Sequence, residues 1–203
     1  MKIPTSLLNM PFSKAFNWIL DFHLNNDDYI WDCTCGEKKS WESYNRRLSQ
    51  KGFFEDPKYN ILFSDILDGK DILKSSYVAE FDACYFDPPY IWGLEKSKDK
   101  RQEIYGGYTA SKESLQFLIR DSFHIIKKSV KNEGKIFFKY TDIFDLSCRK
   151  FYFGVELWNL FDLDLEIIDH FIIQHHHISP TAYQVKNRPC SIGNFSYLTV
   201  FKN

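Results

Sequence analysis

Asp87-Pro88-Pro89-Tyr90 sets a carboxylate, a rigid proline pair and an aromatic ring in direct succession behind the apolar run Ala83-Cys84-Tyr85-Phe86. The apolar run reads as a buried strand. Tandem prolines fix φ and give up two backbone donors, so the Asp87 carboxylate and the neighbouring carbonyls stand as a rigid set of hydrogen-bond acceptors. Open α/β sheets bind ligands at the carboxyl ends of their strands, which is where these acceptors fall. An aromatic ring beside an acceptor cluster suits a planar group that carries an NH2, such as adenine or cytosine. The same four residues also read as an ordinary strand followed by a proline turn.

The elements that must position this set follow from periodicity. Residues 11 to 24 carry Phe12, Phe16, Ile19, Leu20 and His23 at helical spacing. Tyr29-Ile30-Trp31 is a short apolar strand ending at Asp32, Ile61-Leu62-Phe63 a second ending at Asp65, and Phe81 to Phe86 a third. A helix is predicted from about Lys39 to Gln50, with Gly52 as its stop. Ser111 is a plausible N-cap for a long helix through Leu115, Leu118, Phe123, Ile126 and Val130, stopped by Gly134. Lys135 to Tyr140 reads as a strand, Phe144 to Phe161 as a helix, and Leu165 to Gln174 and Phe195 to Lys202 as two late strands. Strands alternating with helices predict a mostly parallel α/β sheet, and two final strands with no helix between them predict an antiparallel edge hairpin.

Composition bounds what the chain can do. Its 203 residues are 44% apolar and 18% aromatic, enough for one domain with a sizeable core. The net charge of −1 supplies no global basic field, so a nucleic-acid substrate must be met by a local patch, a small target or a partner. The five cysteines, Cys33, Cys35, Cys84, Cys148 and Cys190, form no CxxC pair and point to neither a disulfide framework nor a zinc site. No signal peptide or transmembrane-length apolar run is present, and the chain reads as intracellular, cytoplasmic and away from membranes.

The Asp87–Tyr90 stretch resembles motif IV of the S-adenosylmethionine (SAM)-dependent amino-methyltransferases, which modify exocyclic amines of nucleobases. Asp32-Cys33-Thr34-Cys35-Gly36-Glu37 resembles their motif I, a strand and tight turn around the methionine part of SAM; Lys38 stands where the family usually carries a second glycine. Tyr105-Gly106-Gly107-Tyr108 and Gly134–Lys139 look like the middle of small phage and prokaryotic DNA-methylase-like proteins, and Gln184–Arg188 with Phe195–Lys202 like their carboxyl-terminal end. The resemblance covers most of the chain. It implies the Rossmann-like SAM-methyltransferase version of the α/β fold with helices on both faces, SAM as cofactor, and a single catalytic domain over residues 1–203 without a separate target-recognition domain.

That resemblance assigns Asp87, Pro88, Pro89 and Tyr90 to catalysis and Asp32, Cys33, Thr34, Cys35, Gly36, Asp65, Asp71 and Asp87 to the cofactor. Asp65 would hydrogen-bond ribose hydroxyls and Asp71 face the cofactor's adenine; both also read as solvated loop or cap aspartates. Tyr90 and Lys139 are candidates for the substrate side, although Lys139 and Asp142 also read as a surface ion pair. The Lys96, Lys98, Lys100 and Arg101 cluster could meet phosphates or stay solvated. His175-His176-His177 is not expected to hold a metal, because consecutive strand residues alternate faces and no acid or cysteine lies at ligand spacing. No cysteine follows a proline as a covalent cytosine-C5 mechanism requires. The expected activity is methyl transfer to adenine N6 or cytosine N4 in DNA. RNA is the alternative substrate, and a non-catalytic SAM- or nucleic-acid-binding relative the alternative class. A homodimer or an accessory specificity partner could stand in for the missing recognition domain.

Overall fold

A computed structural model of the protein describes residues 6–44, 58–89, 110–144, 150–151, 165–174 and 195–203. Nine strands and two α-helices are described: β1 (Leu7–Leu8), α1 (Phe12–His23), β2 (Tyr29–Asp32), β3 (Asn60–Phe63), β4 (Phe81–Phe86), α2 (Lys112–Ser129), β5 (Val130–Tyr140), β6 (Ile143–Phe144), β7 (Lys150–Phe151), β8 (Glu166–Gln174) and β9 (Phe195–Lys202). Seven of the strands make one sheet in the order β1-β8-β9-β5-β4-β2-β3. Pairing is parallel from β3 through β2 and β4 to β5, antiparallel where β9 joins β5 and β8, and parallel again between β8 and β1.

The central strands are apolar on both faces because each face is covered. Trp31, Cys84, Phe86, Ile136, Phe138 and Phe201 point to the side packed by Leu115, Ile119, Phe123 and Ile126 of α2. Ile30, Ala83, Tyr85, Phe137, Leu198 and Val200 point to the other side, packed by Ala15, Phe16, Ile19 and Leu20 of α1. Side chains alternate between these two cores over Tyr29–Trp31 of β2, Ala83–Phe86 of β4 and Ile136–Phe138 of β5, as the twofold period of a strand requires, and the irregularity between Phe81 and Ala83 breaks the alternation at the start of β4. Each large apolar side chain sealed there is worth about 1.5–3 kcal/mol.

The predicted strands at 29–32, 61–63, 81–86, 165–174 and 195–202 and the helix at 11–24 are found within a residue or two. Ser111 caps α2, its hydroxyl accepting from Ser114 N at 3.1 Å. The late strands pair as an antiparallel hairpin, and β1, too short to show a period, adds one strand beyond it, with Ile172 N donating to Ser6 O at 2.7 Å.

Two expectations need correction. Helix α2 ends at Ser129, not at Gly134: Ala79 N and Glu80 N reach back to the carbonyls of Lys128 and Ser129 at 2.9 and 2.8 Å, so the approach to β4 satisfies the helix end. Gly134 lies instead inside β5, where the register slips between Phe81↔Val130 and Ala83↔Lys135. A Cβ there would meet Val130 Cγ1 at 2.5 Å and the Asp82 carbonyl at 2.8 Å, so close approach explains the glycine. Of the helix predicted from Phe144 to Phe161, the described residues Phe144, Lys150 and Phe151 are strand instead, since β6 and β7 pair as an antiparallel two-stranded unit, Phe144 opposite Lys150, and residues 145–149 and 152–161 lie outside the described residues. Of the helix predicted from Lys39, a 3-10 turn over Lys39–Trp41 begins the segment, and residues 45–50 lie outside the described residues. Among the described residues, no helix is long and apolar enough to cross a membrane.

Candidate active site

At the carboxyl ends of β2, β3 and β4, three consecutive loops are tied into one rim. Strand β2 ends at Asp32, and the chain turns through residues 33–36 with Gly36 at φ 45°. The turn is strung between its neighbours. Cys33 N donates to Tyr85 O of β4 at 3.2 Å, Cys35 N to Ser64 O at 3.2 Å, and Gly36 N to Asp65 Oδ2 at 2.9 Å. The Asp32 carboxylate lies beneath it, 1% exposed, accepting from Thr34 N at 3.1 Å and Trp41 Nε1 at 2.6 Å. Burial pushes the Asp32 carboxyl up from 3.8 to about 7, with the Trp41 and Thr34 hydrogen bonds opposing.

Strand β4 delivers Asp87 to the same rim. Its N–H donates to Thr34 Oγ1 at 2.7 Å, joining the loop after β4 to the turn after β2. Its Oδ2 accepts from Lys139 Nζ of β5 at 2.6 Å and from the Tyr85 hydroxyl at 3.2 Å. An ionised carboxylate only accepts, so the Tyr85 proton points at Asp87 and Ser40 donates to Tyr85, 2.8 Å away. Burial keeps the Tyr85 hydroxyl well above its usual range, so it stays a donor. Burial also raises the Asp87 carboxyl, and the Lys139 ammonium works against that rise. Lys139 lies 4.4 Å from the centre of the Phe12 ring, a cation–π contact that helps hold it in place.

Between these loops opens a pocket, open to solvent on one side. Cys33, Thr34, Asp65, Asp71, Asp87, Pro88 and Pro89 line it, so most of the predicted residues share one space. Asp32, Cys35 and Gly36 do not line it; they build and anchor the turn above. Asp71 lines the cavity, and its Oδ1 caps the following 3-10 turn, accepting from Leu73 N at 3.0 Å. Lys139 reaches Asp87, and Asp142 accepts from the Tyr197 hydroxyl at 3.3 Å. Lys38 adopts left-handed backbone at φ 57°, ψ 26°, its ammonium 4.2 Å from the Phe63 ring centre. Burial raises the Cys33 thiol well above its usual range and the Cys35 thiol to about 11, so both stay protonated and neither is a ready nucleophile. Tyr90, Lys96, Lys98, Lys100, Arg101 and His175–His177 lie outside the described residues. Among the described residues, no cluster of three or more His, Cys, Asp or Glu could hold a metal ion.

Sequence reasoning missed the apolar walls, Ile66, Ile72, Phe86 and Leu118. Leu118 was visible as a core position of α2, but nothing in its spacing shows that it faces a cavity. It also missed the Ser40–Tyr85–Asp87 chain of hydrogen bonds, which joins residues 45 positions apart and needs the parallel register of β2 and β4.

No protein-family model matches the chain, and no curated protein sequence matches it. Solved structures do. The 1,6-didemethyltoxoflavin-N1-methyltransferase of Burkholderia thailandensis, solved with 1,6-didemethyltoxoflavin and S-adenosylhomocysteine, superposes with a TM-score of 0.50 at 10% identity, over 94% of this chain and 77% of that one. The chain has the Rossmann-like fold of SAM-dependent methyltransferases. Looser likenesses are to a TehB-like SAM-dependent methyltransferase of Corynebacterium glutamicum (TM-score 0.49, 14% identity, 96% of this chain and 90% of that one) and an rRNA methylase of Streptococcus thermophilus (0.45, 12%, 97% and 98%).

Proposed function

We propose that this chain transfers the methyl group of SAM to the exocyclic amine of a nucleobase in DNA, adenine N6 or cytosine N4. The observation that carries the reading is the placement of Asp87 and the Pro88-Pro89 backbone beside Thr34, so that an acceptor set for an amine and the turn after β2 line one pocket. The residues present fit the cofactor. Asp65, only 7% exposed, and Asp71 offer carboxylates to ribose hydroxyls and an adenine amine, while Ile66, Ile72, Phe86 and Leu118 offer apolar surface to a purine. Cys33, Thr34, Cys35 and Gly36 form the turn that would meet the methionine end.

SAM, when bound, supplies an electrophilic methyl group on a sulfonium. The chain's own residues do the rest. A target base leaves its stack, at a cost of a few kcal/mol in a duplex. The Asp87 carboxylate and the Pro88 carbonyl accept the two N–H bonds of its amine, which draws the nitrogen lone pair out of conjugation and aims it along the cavity. Tyr90 stacks on the base. Lys139 and Tyr85 hold the Asp87 carboxylate in one rotamer, so its acceptor geometry exists before substrate arrives. No strong base is needed, because the amine becomes acidic only as it gains the methyl group; the proton then passes by way of Asp87 to solvent. Positioning and electrostatics account for the rate.

Asp87→Ala tests this reading. Methyl transfer should be abolished while SAM binding largely survives, as read by transfer of a labelled methyl group and by calorimetric titration. Turnover retained in the variant would remove Asp87 from catalysis.

A further inference from the structure

Two thiols meet at the wall of the pocket. Cys84 sits inside β4, fully buried and locked by pairing with β2 on one side and β5 on the other. Cys33 is the first residue beyond β2 and lines the pocket. Their sulfurs lie 3.6 Å apart, the Cys84 thiol donating to the Cys33 sulfur and the Cys33 thiol to Tyr85 O at 3.3 Å. Trp31, Ile72, Phe86 and Leu118 belong to the same apolar cluster as the pair. The methyl-transfer chemistry above uses neither sulfur. Two sulfur ligands side by side, one of them reached from the pocket, are the donor set of a soft metal ion that takes two ligands in a line.

We propose that Cys33 and Cys84 together form a chelating site for a soft, linearly coordinated dication of the mercury(II) kind, entered through the pocket, and that filling it disables the pocket wall. Binding balances without an oxidant: two S–H bonds break, two metal–sulfur bonds form, and two protons leave to solvent. Charge selects a dication, because its bis-thiolate complex is neutral and stays among apolar side chains without cost. Oxidation to a disulfide is the poorer route. It begins from a thiolate, and burial holds the Cys33 thiol protonated, whereas a coordinated metal displaces that proton itself. Geometry sets the consequence. At a metal–sulfur bond of about 2.3 Å, a linear arrangement needs the sulfurs about 4.6 Å apart, about 1 Å more than they are. Cys84 is held by strands on both sides, so Cys33 yields, and the turn that carries it and Thr34 shifts with it. The loss of cofactor binding that follows rests on the cofactor reading above; the metal site does not.

Retention of mercury(II) against excess 2-mercaptoethanol tests the site. A lone protein thiol shares the ion with the small thiol and loses it, whereas a pair gains from its effective concentration, by a factor of about 100 to 10,000. After dialysis the unaltered protein should hold one ion per chain more than Cys33→Ala or Cys84→Ala, and Cys35→Ala should match the unaltered protein. Equal retention by all four proteins, or loss in only one of the Cys33 and Cys84 variants, overturns the proposal. Native mass spectrometry of the loaded unaltered protein needs no variant. A chelated ion adds mercury less two protons, and an ion that also carries a mercaptoethanol contradicts the pair. Calorimetry with S-adenosylhomocysteine reads the consequence: the loaded protein should not bind it, and a dithiol that strips the ion should restore binding. Binding by the loaded protein overturns the disabling of the wall. Metal-free unaltered protein that fails to bind S-adenosylhomocysteine overturns the cofactor reading instead, and retention of the ion still decides the site.

Discussion

Replacing Asp32 with asparagine removes a buried titratable group while nearly preserving its shape. Asp32 is 1% exposed, and burial raises its carboxyl from 3.8 to about 7. Between those values the folded protein keeps a proton that the unfolded chain has released. Stability from this group is therefore fully present below about pH 4, declines as pH rises, and is lost once pH passes about 7. At about 1.36 kcal/mol per pH unit, the whole gap sets an upper limit of about 4 kcal/mol. Only the part above pH 5 is convenient to measure, about 2–3 kcal/mol. Asp32→Asn cannot titrate. Its amide also turns an NH2 toward Trp41 Nε1 or Thr34 N, both of which now donate to carboxylate oxygens, at a fixed cost of about 1–3 kcal/mol. Urea unfolding of both proteins from pH 5 to pH 8 separates the two effects. The variant should begin less stable and gain on the unaltered protein by about 2–3 kcal/mol as pH rises, because only the latter loses the Asp32 contribution. Two curves that stay parallel across this range would refute the reasoning, whatever their offset.

Three further outcomes are expected. Lys139→Met removes the ammonium that counteracts the rise in the Asp87 carboxyl, so Asp87 ionises at higher pH and the acidic limb of the pH–rate profile moves up; an unmoved limb contradicts the role given to Lys139. Lys38→Gly relieves a left-handed backbone costing about 1–2 kcal/mol and forfeits a cation–π contact worth about 0.5–1 kcal/mol, so thermal unfolding should show slight stabilisation, and a clear loss would contradict it. Phe123→Ala, in the core between α2 and the sheet, should cost about 3–5 kcal/mol in denaturant unfolding, and a cost below about 1 kcal/mol would show that the core on this face is looser than described.

How much could be read in the sequence follows from where each interaction lies along the chain. Strands β2 and β4 were legible because burial on both faces makes them short, unbroken apolar runs, and Asp87-Pro88-Pro89 was legible because prolines enforce local geometry wherever they stand. The turn at 33–36 could be placed, but the division of labour within it could not. Asp32 turns inward to Trp41, and Thr34 outward to Asp87, through contacts that depend on neighbouring strands. Gly134 was misread because a glycine after an apolar helix resembles a stop; only the strand beside it reveals the Asp82 carbonyl that leaves no room for a Cβ. In the sequence Lys139 reads as a substrate-side candidate or as the partner of Asp142, three residues away; the parallel register of β4 and β5 brings it to Asp87, 52 residues away, a contact no local spacing shows.

Methyl transfer from labelled SAM to single-stranded DNA, duplex DNA and RNA, with the products digested to nucleosides and identified by mass, tests the central claim most directly. The account predicts N6-methyldeoxyadenosine or N4-methyldeoxycytidine from DNA, formed by the unaltered protein and absent with Asp87→Ala. A methylated ribonucleoside from RNA alone would contradict the DNA assignment, and no methylated nucleoside from any polymer, with SAM binding demonstrated, would contradict nucleobase methylation altogether.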